Sequence, residues 1–377
     1  MALLDNTDIT AEQIAKEGLD NLPSTYQKSV GFFAWEYMLA TAKLLKNIWD
    51  KIVYICSCLT DLSKMNESDL ENYIRERTGI ERQQSTYASG LLTVLNGSGT
   101  ITEGDTFTTS SGTVYVATNT VEVSQNDTFN VRCETAGAVG NCDANTITLM
   151  PTTIQGIVSV TNESAFTNGY DKETIEELLE RYYEYIRTPI VSGNKYHYKY
   201  WAKQVSGVSG AIIKPTWNGP NTVKVVIFDK NTGVASQELV NNVQNYIDPK
   251  GNNNETWGCG LGQAPIGAFC TVVSATAKNL TVNAELTLKS GYELTDVTAN
   301  IEAKINTYLK EVIEQLESEE SVYVSYSHIS ACISTAEGVK DHTGLIVNGV
   351  ISNISLTNTD STTEVAILYQ TDFTTGG

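Results

Sequence analysis

The chain has 377 residues, 41% hydrophobic and 18% charged, enough for several packed domains and too apolar for disorder. Its 44 acidic residues outnumber 25 basic ones, for a formal net charge of −19. Such a surface repels phosphate backbones and anionic lipid, which argues against nucleic-acid or membrane-surface binding. Residues 1–8 lack the basic and apolar segments of an export signal, and no apolar run is long enough to span a bilayer. The expectation is a soluble protein made in a cytoplasm. The seven cysteines, at irregular spacings, read as buried free thiols and not as a disulfide or zinc framework.

The first ninety residues predict helices. Thr10-Ala11-Glu12-Gln13 has the capping-box pattern, and Gly18 is placed to close a short helix. A long helix is predicted over about 29–62. Tyr37, Ala40, Leu44, Ile48, Ile52, Ile55, Leu59 and Leu62 recur there at steps of three and four, and Leu45, Trp49, Val53 and Cys56 widen the stripe. A stripe this wide can face its own domain on one side and a partner on the other. Tyr37, Leu44, Leu45, Ile48, Trp49, Ile52, Ile55 and Leu59 are therefore the candidate partner-interface residues. The alternative, that the whole stripe packs within the chain, stays open. Ser68-Asp69-Leu70-Glu71 is a second capping box, and Gly79 stops the helix it starts.

From about Gly90 the apolar period falls to two. Leu92 and Val94, Val114 and Val116, Val121 and Val123, and Phe129 and Val131 alternate with polar residues, separated by turn signals such as Asn96-Gly97 and Ser110-Ser111-Gly112. This predicts a small β-sandwich or barrel-like domain. A helix over 171–187, with Thr174 and Glu177 as a capping box, a second helix from about Asn194, strands over 208–214 and 223–228, and a helix over 236–246 predict an α+β unit with helices on one face of a sheet. After a Gly/Asn-rich loop, 251–262, a second α+β unit begins at Pro265. It has a strand over 280–288, helices over 296–313 and 327–335, a hairpin about Asn348-Gly349 and a last strand over 365–368. The predicted fold class is thus multidomain α+β: a helical region, 1–88; an all-β domain, 89–168; and two α+β domains, 169–252 and 265–377.

No residue pattern predicts chemistry. His197, His328 and His342 have no second ligand at helical spacing, so no metal site is expected. Glu173, Glu176, Glu177, Glu180 and Glu184 fall on one helix face, as solvated acids do, and not as a carboxylate pair across a cleft. Glu317, Glu319 and Glu320 read as a solvated loop, short of the ordered ligands of a calcium site. Gly258-Cys259-Gly260-Leu261-Gly262 has no lysine and no feeding strand, so it is not a phosphate loop. Tyr196, Tyr198, Tyr200 and Trp201 offer a possible sugar-stacking platform, which makes a carbohydrate binder the main rival reading. The expectation is a non-enzyme with no cofactor and no metal.

Several ordered stretches resemble the baseplate J-like family. They are Gly79-Ile80-Glu81-Arg82, Thr86-Tyr87-Ala88-Ser89-Gly90, Ala136-Gly137-Ala138-Val139-Gly140-Asn141, Ile157-Val158-Ser159-Val160-Thr161-Asn162, Gly169-Tyr170-Asp171-Lys172-Glu173-Thr174, Gly219-Pro220-Asn221-Thr222-Val223 and Pro265-Ile266-Gly267-Ala268. The resemblance covers about 65–370. It implies a structural wedge component of a contractile tail, in a phage or a bacteriocin-like particle, that forms a ring around a central hub and rearranges when the sheath contracts. It implies no reaction, no nucleic acid and no membrane. The implied partners are copies of the chain itself, the hub, a second wedge protein, a sheath initiator and fibre-attachment proteins. Assembly would take place in the bacterial host cytoplasm, and the chain would leave in the baseplate of the released particle. Rotation of the two α+β units about the 251–262 loop would supply the rearrangement.

Overall fold

The computed structural model describes residues 7–318 and 322–375. The chain divides into two compact units, Met1–Arg82 with Thr174–Ile186, and Gln83–Glu173 with Arg187–Gly377.

The first unit is helical: α1 (Ala11–Asp20), α2 (Phe33–Thr60), α3 (Glu67–Thr78) and α4 (Ile175–Arg187). The capping box at Thr10 forms: its Oγ1 accepts the Gln13 N–H, and the Gln13 side chain accepts the Thr10 N–H. Gly18 does not close α1 but lies inside it, where a Cβ would come 2.8 Å from Met38 Sδ. The missing side chain lets α1 approach α2, and Ala15, Leu19 and Ala42 are buried. The cap of α3 is Asn66, two residues before the expected Ser68, because the Asn66 Oδ1 accepts the Asp69 N–H. Gly79 ends α3 in the left-handed region, φ 72°. Thr174 and Glu177 cap α4 reciprocally. Arg181 of α4 donates to the Glu81 carbonyl, and Tyr182 meets Tyr73 edge-on.

The second unit opens with β1 (Tyr87–Gly97), β2 (Gly99–Ile101), β3 (Thr106–Thr109), β4 (Val114–Ala117), β5 (Val121–Val123), β6 (Thr128–Ala136), β7 (Ile147–Leu149) and β8 (Ile157–Thr161). Six strands form an antiparallel sheet in the order β7-β3-β4-β6-β1-β8, with β2 and β5 a separate ribbon. The sheet curls towards closure. Asn162, fully buried just past β8, accepts the Thr146 and Ile147 N–H groups at the start of β7 and so ties one edge strand to the other. In β4 the inward register is one residue off the expectation: Tyr115 and Ala117 are buried, not Val114 and Val116. The reason is the Tyr115 ring, which packs against Phe166 and donates its hydroxyl to the Gly140 carbonyl inside the barrel.

Next come α5 (Lys195–Lys203), β9 (Val208–Pro215), β10 (Thr222–Asp229), α6 (Gln237–Ile247) and β11 (Phe269–Ser274). Their sheet runs β11-β10-β9, with β11 parallel to β10. Phe269–Ser274, expected in the second α+β unit, is therefore the edge of the first α+β unit's sheet, and the 251–262 loop lies within the crossover that leads to it. The rest is β12 (Thr276–Leu288), α7 (Leu294–Ser318), β13 (Val322–Val324), α8 (Tyr326–Thr335), β14 (Val339–Val347), β15 (Ile354–Leu356) and β16 (Glu364–Thr375). The sheet order is β14-β12-β16. Asn348-Gly349 turns the chain through a single Val347–Val350 bridge, after which β15 pairs with β13 and not with β14.

Alternate residues of β9 and β10 face two cores. Ala211, Val225 and Ile227 pack with Tyr198, Trp201, Leu239 and Val243 of α5 and α6. Ile212, Val226 and Phe228 pack with Ile305, Leu309, Val312 and Leu316 of α7. The central sheet is thus covered on both faces, not one. That explains the unbroken apolar run Val225-Val226-Ile227-Phe228. It also joins the two α+β units through one continuous core.

Candidate functional site

The long helix α2 carries 28 residues and so extends about 42 Å. Ala42 and Cys58 are buried, and Trp35, Met38, Leu39, Trp49 and Val53 are half-buried. The opposite side is open. Leu44 is 66% exposed, Ile48 56% and Leu59 70%; Tyr37, Leu45, Ile52 and Ile55 are exposed as well. Of the eight candidate residues, seven therefore lie on an uncovered apolar stripe. The eighth, Trp49, turns inward, and its indole N–H is enclosed without an acceptor among the described residues. Phe33, stacked on Tyr37, continues the stripe towards the helix start and was not foreseen.

The exposed positions fall in an 11-residue rhythm: Phe33, Leu44 and Ile55 form one series, and Tyr37, Ile48 and Leu59 another. Eleven residues over three turns is 3.67 per turn, so the stripe stays on one side of a nearly straight helix. On the order of 800 Å² of apolar surface is on offer, about what one partner contributes to a stable interface. Scattered single apolar residues on a surface need no explanation, whereas a contiguous exposed stripe of this extent is uncommon on a monomer. Lys46 pairs with Asp50 along the helix, and the Tyr54 hydroxyl accepts the N–H of Asn66 at the start of α3. These contacts leave the stripe bare.

The other candidates resolve differently. Tyr198 and Trp201 are buried in the core of α5, and Tyr196 lies under the Lys195 ammonium, so the four aromatics build no open sugar platform. His197 lies 3.9 Å from the Trp201 ring, and its Nδ1 accepts the Gly193 N–H. Burial pushes its pKa below the ordinary imidazole value. His342 has a serine hydroxyl at each ring nitrogen, Ser330 at 3.0 Å and Ser334 at 3.3 Å, and no carboxylate orients it among the described residues. Glu173 leaves the expected acidic face: it is buried and accepts the Gln83 N–H. Glu317 is likewise no solvated loop residue, because it ends α7 and bonds to Ala211 and Lys199; Glu319 and Glu320 lie outside the described residues. The described residues contain no group of three or more metal-ligating side chains and no helix long and apolar enough to cross a membrane. All seven cysteines are free; Cys58, Cys133 and Cys270 are buried, but Cys259 is exposed.

Three family profiles match in order: the Baseplate J-like protein barrel domain over 90–169, the Baseplate J-like central domain over 191–274 and the Baseplate J-like protein C-terminal domain over 280–368. The chain belongs to the baseplate J-like family. The quoted motifs are structural in this family member. Asn141 bonds both the N–H and the C=O of Gly169, and Asp171 caps the Ala138 N–H, so the Gly137–Asn141 turn clamps the segment leaving the barrel. Among its relatives, "Uncharacterized protein YqbT" of Bacillus subtilis (strain 168) is 34% identical over 60% of this chain and 62% of its own length. "Phage-like element PBSX protein XkdT" of the same organism is 34% identical over 63% of this chain and 66% of its own length. "Baseplate protein gp47" of Escherichia phage Mu is 33% identical over 53% of this chain and 56% of its own length. The matches thus span a little under two thirds of these relatives at most.

Proposed function

We propose that this chain is a structural, non-catalytic part of the tail baseplate of a phage or a prophage-derived contractile particle. In this reading it is a wedge protein, set with copies of itself around a central hub and rearranged when the sheath contracts. One observation carries the reading: three baseplate J-like domains follow one another in the chain, behind a helix whose apolar stripe has no cover among the described residues. The name printed for the Mu relative, a baseplate protein, supports it. The stripe of α2, through Tyr37, Leu44, Leu45, Ile48, Ile52, Ile55 and Leu59, is the surface presented to a neighbour, with Trp49 as the inward anchor beneath it. Besides further copies, the neighbours are the hub, a second wedge protein, a sheath initiator and fibre-attachment proteins. The chain is assembled in the bacterial host cytoplasm and leaves with the particle.

Immunogold labelling of particles from the producing cell tests the proposal. Label at the tail end distal to the head, or at the corresponding end of a headless particle, is expected. Particles without the chain, or label only on fibre tips, would overturn it.

A further inference from the structure

The edge of a sheet carries backbone donors and acceptors that a foreign strand can take. Side chains occupy most such groups in this chain. On β11, the Asp248 carboxylate accepts the Cys270 N–H at 2.9 Å and the Gln244 side chain accepts the Val272 N–H at 2.9 Å. The Gln244 amide and the Trp257 indole both donate to the Cys270 carbonyl. On β9, Glu317 accepts the outward Ala211 N–H. Asn162 ties the edge β8 to β7. On β14, a bulge at Gly344, φ 62°, breaks the ladder, and the Tyr326 hydroxyl donates to the Leu345 carbonyl at 2.9 Å. The ribbon strands β2, β5, β13 and β15 have 3 residues each, too short to template a partner.

The outer edge of β16 has no such cover. β16 is the last strand in the order β14-β12-β16. A bulge sets Tyr369 out of the ladder, and from there 370–375 pairs residue for residue with 281–286 of β12. Outside that ladder the backbone of 370–375 makes no hydrogen bond among the described residues. Gln370, Asp372 and Thr374 are exposed along one face, while Phe373 is buried and the Thr371 hydroxyl donates to Glu302 of α7. Charge narrows the occupant. Asp372, Glu302 and Glu285, which lies opposite Thr374, pair with no cation among the described residues. A second copy would bring the same acids to the same edge. Antiparallel pairing centred on Asp372 would set two carboxylates directly opposite each other, which is destabilising. A strand with basic side chains meets no such repulsion.

We propose that the 370–375 edge of β16 takes up an extended segment of a different protein, with lysine or arginine at alternate positions beside Asp372 and Glu285. Main-chain hydrogen bonds along the edge supply affinity, and the acids select the partner. The inference goes beyond the baseplate reading and does not rest on it.

The test places a photo-crosslinking amino acid at position 370, and separately at position 374, of the full chain in the producing cell. Cells are irradiated, the products that contain the chain are purified, and the joined peptides are read by mass spectrometry. Both positions are expected to join one segment of a different protein, and that segment carries lysine or arginine. Moving the probe from 370 to 374 should move the joined residue by about four positions, because paired strands advance residue for residue. The yield should fall roughly tenfold or more in a chain that also carries Asp372→Lys, a change at an exposed position. Crosslinks to a second copy, a joined residue that does not follow the probe, a joined segment without a basic residue, a yield unchanged by Asp372→Lys, or no crosslink at all would overturn the inference.

Discussion

Glu317 carries its charge at the end of its helix where the backbone dipole disfavours an acid. It is kept there by what it holds: its Oε1 accepts the Ala211 N–H of β9 at 2.7 Å, and its Oε2 lies 2.6 Å from the Lys199 ammonium of α5. A Cβ at Gly210 would collide with that carboxylate. Glu317→Ala should cost roughly 2 kcal/mol, since a charged hydrogen bond to a backbone N–H is lost, and Lys199→Met should cost less; urea unfolding checks both. His197 gives a pH signature. Its folded pKa is depressed by burial, so the stability it contributes is complete above the unfolded value of about 6.5 and is lost as pH falls through the lower folded value. Thermal unfolding should show a loss between pH 7.5 and pH 5.5 that His197→Gln reduces. Neither residue's role was legible in the sequence. Glu317 looked like one acid of a loop cluster because its partners lie far away along the chain, and His197 was recognisable only as a histidine among aromatics. Asn141, Asn162 and Gly79 were legible as turn or motif residues, because their work is largely local or sits inside a quoted pattern.

At the scale of elements, α2 is the point where pattern and structure agree most closely. Period alone located the helix, and seven of the eight residues it singled out are exposed. The eighth, Trp49, is large enough to be read as part of either face. What the period could not give is which side is covered, since that depends on α1, whose Gly18 reads as a helix end but serves as a contact point against Met38. The double change Ile48→Ser with Ile55→Ser should alter the stability of the isolated chain by no more than about 1 kcal/mol, because exposed positions each contribute within roughly half that. The same change should abolish incorporation into particles, measured as the chain's abundance in purified tails. Unchanged incorporation would mean that the stripe faces no neighbour.

For the second unit as a whole, the decisive feature is the shared core. Phe228 is fully buried and lies between the central sheet and α7. Phe228→Ala should destabilise by about 3–5 kcal/mol, and both α+β units should lose structure in a single transition, followed by calorimetry with limited proteolysis. The domain content was readable from the change of period near Gly90 and the return of helices near Thr174. The sheet's second cover was not, although Val225-Val226-Ile227-Phe228 lacks the alternation of a one-sided strand. Its covering helix, α7, arrives only after α6 and two further strands, β11 and β12, have been laid down.

The most direct test of the wedge assignment is electron cryo-microscopy of the particle from the producing cell, with this chain traced through the baseplate. The account predicts copies in a symmetric ring around the hub, with Leu44, Ile48, Ile55 and Leu59 buried against a neighbour. A baseplate that lacks the chain, or one in which those four side chains face solvent, would contradict it.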